Sequence, residues 1–125
     1  MERDATRMNY LRSRPDVQPG SIAILGQSYG AMAMMFTMAN GALPKDVPPE
    51  KDFRAAVALY PNCPPISNQD AHWQPRQPML LLMGESDNWT PAAPCKELIA
   101  HAEGLRLTRI SIRTHTMPLM TPTFQ

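Results

Sequence analysis

The stretch that decides the fold is Ser21-Ile22-Ala23-Ile24-Leu25-Gly26-Gln27-Ser28-Tyr29-Gly30. Residues 21–25 form a short apolar run between glycines, which predicts a strand buried on both faces of a sheet. Residues 29–39 are rich in Ala and Met and almost wholly apolar, so we predict a buried helix that stops at Asn40-Gly41. A buried strand is therefore expected to pass directly into a buried helix.

The turn between them, Gly26-Gln27-Ser28-Tyr29-Gly30, matches the G-x-S-x-G pattern of a nucleophile elbow. In such an elbow a strained turn exposes the serine oxygen, and small residues let strand and helix pass closely. Ser28 is therefore the candidate nucleophile. The backbone N–H of Tyr29, at the helix start, is the candidate oxyanion donor. The alternative is a tight Gly-Ser turn that has no chemical role.

Three further apolar runs predict strands, and helical patterns lie between them. The predicted strands are residues 53–60, 79–83 and 107–112, the predicted helices are residues 3–12 and 91–101, and residues 43–52 and 66–78 are predicted to be irregular. Strands that alternate with helices indicate an α/β fold with about four mostly parallel strands.

A serine nucleophile needs a base, and the base needs an orienting acid. In a parallel sheet, such groups lie on loops at the carboxyl ends of the strands. Asp87 follows the third predicted strand in the loop Gly84-Glu85-Ser86-Asp87 and is the candidate acid, with Glu85 as its rival. The alternative for Asp87 is a solvated turn residue or a cap for the helix that Pro91 opens.

Three blocks of the chain resemble the dienelactone hydrolase family of α/β-hydrolases. They are Leu25-Gly26-Gln27-Ser28-Tyr29-Gly30, Ala58-Leu59-Tyr60-Pro61-Asn62-Cys63 and Met83-Gly84-Glu85-Ser86-Asp87-Asn88-Trp89-Thr90-Pro91. The resemblance covers about residues 4 to 112. It implies Ser28 as nucleophile, Asp87 as triad acid, and neither metal nor cofactor. Family members typically carry a cysteine nucleophile, so the serine points to a branch that acts on esters, lactones or similar acyl groups.

The resemblance also implies that residues 1–112 are a partial domain, the C-terminal half of an α/β-hydrolase fold. The nucleophile strand normally comes fifth, after about half of the domain, but here it begins at residue 21. We therefore expect that the first strands are missing, together with the loop that supplies a second oxyanion N–H. The nucleophile strand would then lie at an open sheet edge, through which chains can self-associate.

His115 is the candidate base, because it follows a strand after Asp87, whereas His72 precedes the acid and His101 falls late in a helix. The family motif at this place reads like Y-P-x-A-x-H-x-F-D. Codons read from the third base of Ser111 permit Y-P-D-A-H-H-A-F-D-D-P there. We hypothesise that one nucleotide was lost near codon 111, so that residues 113–125 are an out-of-frame, poorly ordered tail.

Composition limits the partners of the chain. The 12 Lys+Arg against 11 Asp+Glu give a net charge of +1, which argues against nucleic acid and anionic membranes. No apolar run approaches the roughly 18 residues that span a bilayer, and the start of the chain lacks the apolar core of a signal peptide. We expect a small-molecule ester or lactone as substrate. The compartment is left open: cytoplasmic by default, secreted if a lost N-terminus carried an export signal.

Cys63 and Cys95 have neither C-x-x-C spacing nor a companion pair of histidines, so a zinc site is not expected. We expect two buried free thiols, with a disulfide as the alternative.

The sequence thus favours a serine hydrolase that acts by acyl transfer. A serine peptidase of prolyl-oligopeptidase type shares the elbow and is the rival within this class. The rival from another class is an inactive fragment or pseudoenzyme that acts, if at all, as a binding module.

Overall fold

The computed structural model describes residues 2–100, 102 and 107–112. Helices and strands alternate in this part of the chain. Their order is α1 (Glu2–Ser13), β1 (Ala23–Gln27), α2 (Tyr29–Thr37), a 3-10 turn (Pro49–Lys51), β2 (Ala55–Leu59), α3 (Pro64–Gln69), β3 (Met79–Gly84), α4 (Ala92–Ile99) and β4 (Leu107–Ile112). The predicted tail, residues 113–125, lies outside the described residues, as does His101.

The four strands form one sheet in the order β1-β2-β3-β4, and every neighbouring pair is parallel. The predicted α/β fold with four parallel strands is therefore confirmed. Because parallel strands need a crossover, a helix lies in each connection between them. The carboxyl ends of all four strands meet at one edge of the sheet, and the loops that follow β1 and β3 carry Ser28 and Asp87.

One face of the sheet bears the hydrophobic core. Ile24, Ala56, Met79 and Leu107 are register partners across the four strands. The last three are buried, and Ile24 packs against the same cluster. Helix α2 contacts β1 and β2 and adds its apolar side chains to this cluster, so its burial fixes the direction in which the chain leaves β1.

The opposite face of the sheet is apolar but less covered. Leu25, Val57, Leu80 and Thr108 are the register partners on this side, and Leu25 is 63% exposed. The prediction that residues 21–25 are buried on both faces is therefore wrong. The reason is the position of β1, which pairs with β2 alone among the described strands and carries α2 on one face.

Residues 66–78 were predicted to be irregular, and this is wrong for the beginning of the segment, where α3 forms. Pro64 and Pro65 occupy its first turn, where the fixed φ of proline suits a helix and the missing N–H needs no partner. Ile66 is 1% exposed and belongs to the core. Burial of this side chain stabilises a short helix whose polar composition indicates a loop.

The two cysteines form a disulfide between the start of α3 and the middle of α4, so the expectation of free thiols is wrong. Helices α3 and α4 pack against each other and bring the Cα atoms of Cys63 and Cys95 to 5.1 Å. This separation suits a disulfide. The pairing depends on tertiary packing across 32 residues of chain and leaves no local signal.

Within the described ranges, none of the helices has the length and apolar character required to cross a membrane. The same residues hold no group of three His, Cys, Asp or Glu side chains that could bind a metal ion.

Candidate active site

Ser28 occupies the turn from β1 to α2 with φ 54° and ψ −119°. A positive φ is unfavourable for a residue with a side chain, because Cβ then crowds the neighbouring carbonyl oxygen. The surrounding structure holds this conformation: the Ser28 N–H donates to the carbonyl oxygen of Leu59 at 2.9 Å, and the Met32 N–H donates to the Ser28 carbonyl oxygen at 3.1 Å. The turn is therefore fixed both to β2 and to the first turn of α2.

The glycines of the G-x-S-x-G pattern have different roles. A Cβ placed on Gly26 would lie 2.5 Å from the carbonyl oxygen of Gly30, whereas a Cβ placed on Gly30 would meet nothing within 4 Å. The close passage of strand and helix therefore requires the absence of a side chain at Gly26 alone.

The N-terminus of α2 begins immediately after Ser28. The amide of Met32 makes the first backbone hydrogen bond of this helix, so the preceding amides, including that of Tyr29, have no acceptor within the helix. Amides at a helix start present partial positive charge to an anion. The Tyr29 N–H is therefore located where a negative charge that develops beside Ser28 would be stabilised. The Tyr29 side chain itself is 75% exposed.

Asp87 lies beyond the carboxyl end of β3 and is only 5% exposed. Its Oδ1 accepts hydrogen bonds from the N–H groups of Trp89 (2.8 Å) and Thr90 (2.9 Å), and its Oδ2 accepts one from the Thr90 hydroxyl (2.8 Å). The carboxylate therefore closes a turn and is buried, in contrast to a solvated turn residue. It does not cap α4, whose N-cap position is Pro91.

Ser28 and Asp87 lie at the same edge of the sheet, at the ends of two strands that flank β2. A spacing of about 4.8 Å between neighbouring strands puts these two strand ends roughly 10 Å apart. That gap is wide enough for a third side chain between nucleophile and acid. His115, the candidate for this role, lies outside the described residues.

The rival acid, Glu85, points to a different partner. Its two carboxylate oxygens accept hydrogen bonds from Lys96 Nζ on α4 at 2.6 and 2.8 Å. The hydrogen bond from Lys96 is the main cause that holds the pKa of Glu85 below its usual value. This half-exposed ion pair joins the β3 loop to α4 and engages the carboxylate fully.

Sequence reasoning did not find the contact between Gln27 and Tyr60. The Tyr60 hydroxyl donates to Gln27 Oε1 at 2.8 Å, directly beside the Ser28 turn. Tyr60 follows β2 and has φ 38°, the other non-glycine residue with positive φ in the described part of the chain. The two residues lie 33 positions apart, so no spacing in the sequence signals their contact.

Two grooves lie away from this edge of the sheet. One, of about 340 Å³, is lined by residues that include Gly20, Phe53 and Pro78, near the amino ends of the strands. The other, of about 380 Å³, lies between α3 and α4 and is lined by residues that include Ser67 and Glu97. Neither groove is lined by Ser28 or Asp87.

No protein-family model matches this chain, and no curated protein matches it. Solved structures do match. The chain superposes on puromycin hydrolase with a TM-score of 0.66 at 17% identity, over 90% of this chain and 21% of that one. The esterase domain of a Rhodothermus marinus protein gives a TM-score of 0.62 at 15% identity, over 92% and 57%. Acylaminoacyl peptidase from Pyrococcus horikoshii gives 0.61 at 14% identity, over 86% and 22%.

These similar structures are α/β-hydrolases, and the chain spans about a fifth to three fifths of their lengths. The sheet and helices described above therefore have the fold of part of an α/β-hydrolase.

Proposed function

We propose that this chain carries the nucleophile and the acid of a serine hydrolase of the dienelactone hydrolase family, which cleaves an ester, lactone or similar acyl bond through an acyl-enzyme. The observation that carries the proposal is the backbone of Ser28, a serine held at φ 54° in the turn from β1 to α2. Strained backbone of this kind clusters at active sites. In a turn without a chemical role, glycine would relieve the strain at this position.

In the proposed reaction Ser28 Oγ attacks the acyl carbon while its proton passes to a histidine base. The Tyr29 N–H donates to the oxyanion that forms. The intermediate then expels the alcohol, which takes the proton from the histidine. Water repeats the attack on the acyl-enzyme, releases the acid and restores Ser28. Asp87 orients the histidine, and the steps require neither metal nor cofactor.

His115 is the proposed base in the chain as written. The alternative base is a histidine encoded in the shifted frame from codon 111. In that frame the codons permit the motif Y-P-D-A-H-H-A-F-D-D-P. Resequencing the nucleotides that encode residues 105–125 separates the two. An extra base near codon 111 would support the shifted frame, and an intact frame would leave His115 as the candidate.

Two rival functions have specific support. A serine peptidase is favoured by the likeness to acylaminoacyl peptidase from Pyrococcus horikoshii, which shares the fold at 14% identity. An inactive fragment that binds a partner is favoured by the exposed Leu25 on the edge strand β1. Because the chain spans only part of the proteins that it resembles, the activity of the whole protein is itself part of the proposal.

The experiment compares the parent chain and the Ser28→Ala variant in two assays. One is hydrolysis of p-nitrophenyl acetate. The other is covalent labelling by an alkyl fluorophosphonate, measured by intact mass and peptide mapping. Ser21→Ala, at an exposed serine before β1, is the matched control. We expect labelling of the parent and of Ser21→Ala at Ser28, and none of Ser28→Ala. Equal labelling of all three chains would overturn the proposal. A peptidase would additionally cleave an acylated amino-acid p-nitroanilide in a Ser28-dependent manner.

A further inference from the structure

Tyr60 and Ser28 have the two positive φ angles of non-glycine residues in the described part of the chain, 38° and 54°. Both residues stand at the carboxyl ends of neighbouring strands, just after the register pair Gln27 and Leu59. Tyr60 is an unusual residue for this conformation, because it is bulky and precedes Pro61, and a following proline restricts the backbone further. Two strained residues at the ends of neighbouring strands indicate a structural feature that they share.

Hydrogen bonds link the two strained residues indirectly, through the residues next to them. The Ser28 N–H donates to the carbonyl oxygen of Leu59, and the Tyr60 N–H donates to the carbonyl oxygen of Leu82 at 2.7 Å, which ties both turns to the next strand. The Tyr60 hydroxyl then returns to β1 and donates to Gln27 Oε1 at 2.8 Å. The positive φ of Tyr60 sets the direction in which its side chain leaves the backbone, and in this direction the hydroxyl reaches Gln27.

We propose that Tyr60 is a positioning residue for the nucleophile: its hydroxyl, through Gln27, holds the turn that sets the direction of Ser28 Oγ. This inference rests on the proposed function of Ser28. Gln27 is an exposed side chain on β1, which among the strands that the structure describes pairs with β2 alone. Without the tyrosine hydroxyl, Gln27 keeps its backbone pairing to β2. It loses the hydrogen bond that limits the rotation of its side chain.

Tyr60→Phe removes the donor and keeps the ring, and Gln27→Met removes the acceptor and keeps the length of the side chain. The matched control is Tyr10→Phe, which removes the hydroxyl of an exposed tyrosine on α1, where it accepts a hydrogen bond from Arg14. The readout is fluorophosphonate labelling of Ser28 over a range of probe concentrations, which separates the maximal labelling rate from the concentration at half saturation.

We expect Tyr60→Phe and Gln27→Met each to lower the maximal labelling rate about three- to tenfold, the range for the loss of one hydrogen bond, with little change in half saturation. The double variant should be no slower than either single variant, because both remove the same contact. Tyr10→Phe should label as the parent does.

Parent-like labelling of Tyr60→Phe, or losses that multiply in the double variant, would overturn the inference while the role of Ser28 stands. A change confined to half saturation would also overturn it, since it would place Tyr60 against the probe. Failure of the parent itself to label at Ser28 would overturn the proposed function, and this inference with it. Thermal melting of each variant identifies any loss of rate that comes from unfolding.

Discussion

Gly26 and Gly30 pass each other so closely that a Cβ on Gly26 would lie 2.5 Å from the carbonyl oxygen of Gly30. We therefore expect Gly26→Ala to push β1 away from α2 and to lower the free energy of unfolding by about 2 kcal/mol. Gly30→Ala is the matched control, since its Cβ would enter open space and alanine is the better helix former. Urea denaturation followed by circular dichroism measures both. Equal losses from the two substitutions would contradict this account of the turn.

The features that could be predicted from the sequence are those that depend on residues close together in the chain. The four strands are apolar runs between glycines and prolines, and the Ser28 turn joins one of them to an apolar helix, so local pattern was sufficient for the fold and for the backbone of this turn. The chemical role of Ser28 stays a prediction. Features that depend on distant residues were missed. The pairing of Cys63 with Cys95, the burial of Ile66 and the contact of Tyr60 with Gln27 all follow from tertiary packing. The exposed outer face of β1 was missed because strand order is also a tertiary property.

The disulfide between Cys63 and Cys95 joins the segment after β2 to the helix that follows the Asp87 loop. It closes a loop of 32 residues, for which the chain-entropy relation gives about 3–4 kcal/mol of stabilisation. We expect the double variant Cys63→Ser, Cys95→Ser to lose about 3 kcal/mol in urea denaturation. Dithiothreitol should destabilise the parent by a similar amount and leave the double variant unchanged, because the chain has no other cysteines. A parent that is insensitive to the reductant would contradict the prediction.

Asp52 and Arg76 form a nearly buried ion pair, with Arg76 Nε 2.7 Å from Asp52 Oδ2. Burial acts to raise the pKa of Asp52, but hydrogen bonds from Arg76 and Gln77 and the charge of Arg76 outweigh it and hold the pKa below its usual value. A carboxyl whose pKa is lower in the folded state stabilises the fold above the pKa of the unfolded chain, about 3.9, and loses this contribution as the pH falls through the folded pKa. Stability should therefore fall below about pH 4.

Asp52→Asn tests this dependence. It should lower the stability at pH 7 by about 3 kcal/mol, because the buried guanidinium of Arg76 loses the negative charge that neutralises it, and it should flatten the acid decline. The matched control is Asp16→Asn, which breaks the exposed pair of Asp16 with Arg14 and should follow the parent curve closely. Urea denaturation between pH 3 and pH 7 measures all three chains. If the stability of Asp52→Asn fell as steeply with acid as that of the parent, the acid sensitivity would come from other carboxylates, and this prediction would be wrong.

The strain at Ser28 has a signature that does not depend on activity. Glycine adopts φ 54° without the crowding that alanine suffers, so we expect Ser28→Gly to be more stable than Ser28→Ala by about 1 kcal/mol. The same pair of substitutions at Ser67, inside α3, should have the opposite order, since glycine lowers helix stability there. Thermal or urea unfolding of the four variants gives the comparison. An alanine variant at position 28 that is as stable as the glycine variant would show that the turn is unstrained.

Leu25 marks the surface through which we expect this chain to self-associate. It is 63% exposed on an edge strand, and its register partners Val57 and Leu80 extend an apolar row across the outer face of the sheet. Parallel sheets are normally covered on both faces, and open edges pair with other chains unless charged residues interrupt them. Sedimentation velocity should therefore show association that increases with concentration. Leu25→Lys should weaken it, whereas Tyr10→Lys, at a similarly exposed position on α1, should not. Equal association of Leu25→Lys and the parent would exclude β1 as the contact surface. It would also remove the support that the exposed Leu25 gives to a binding role.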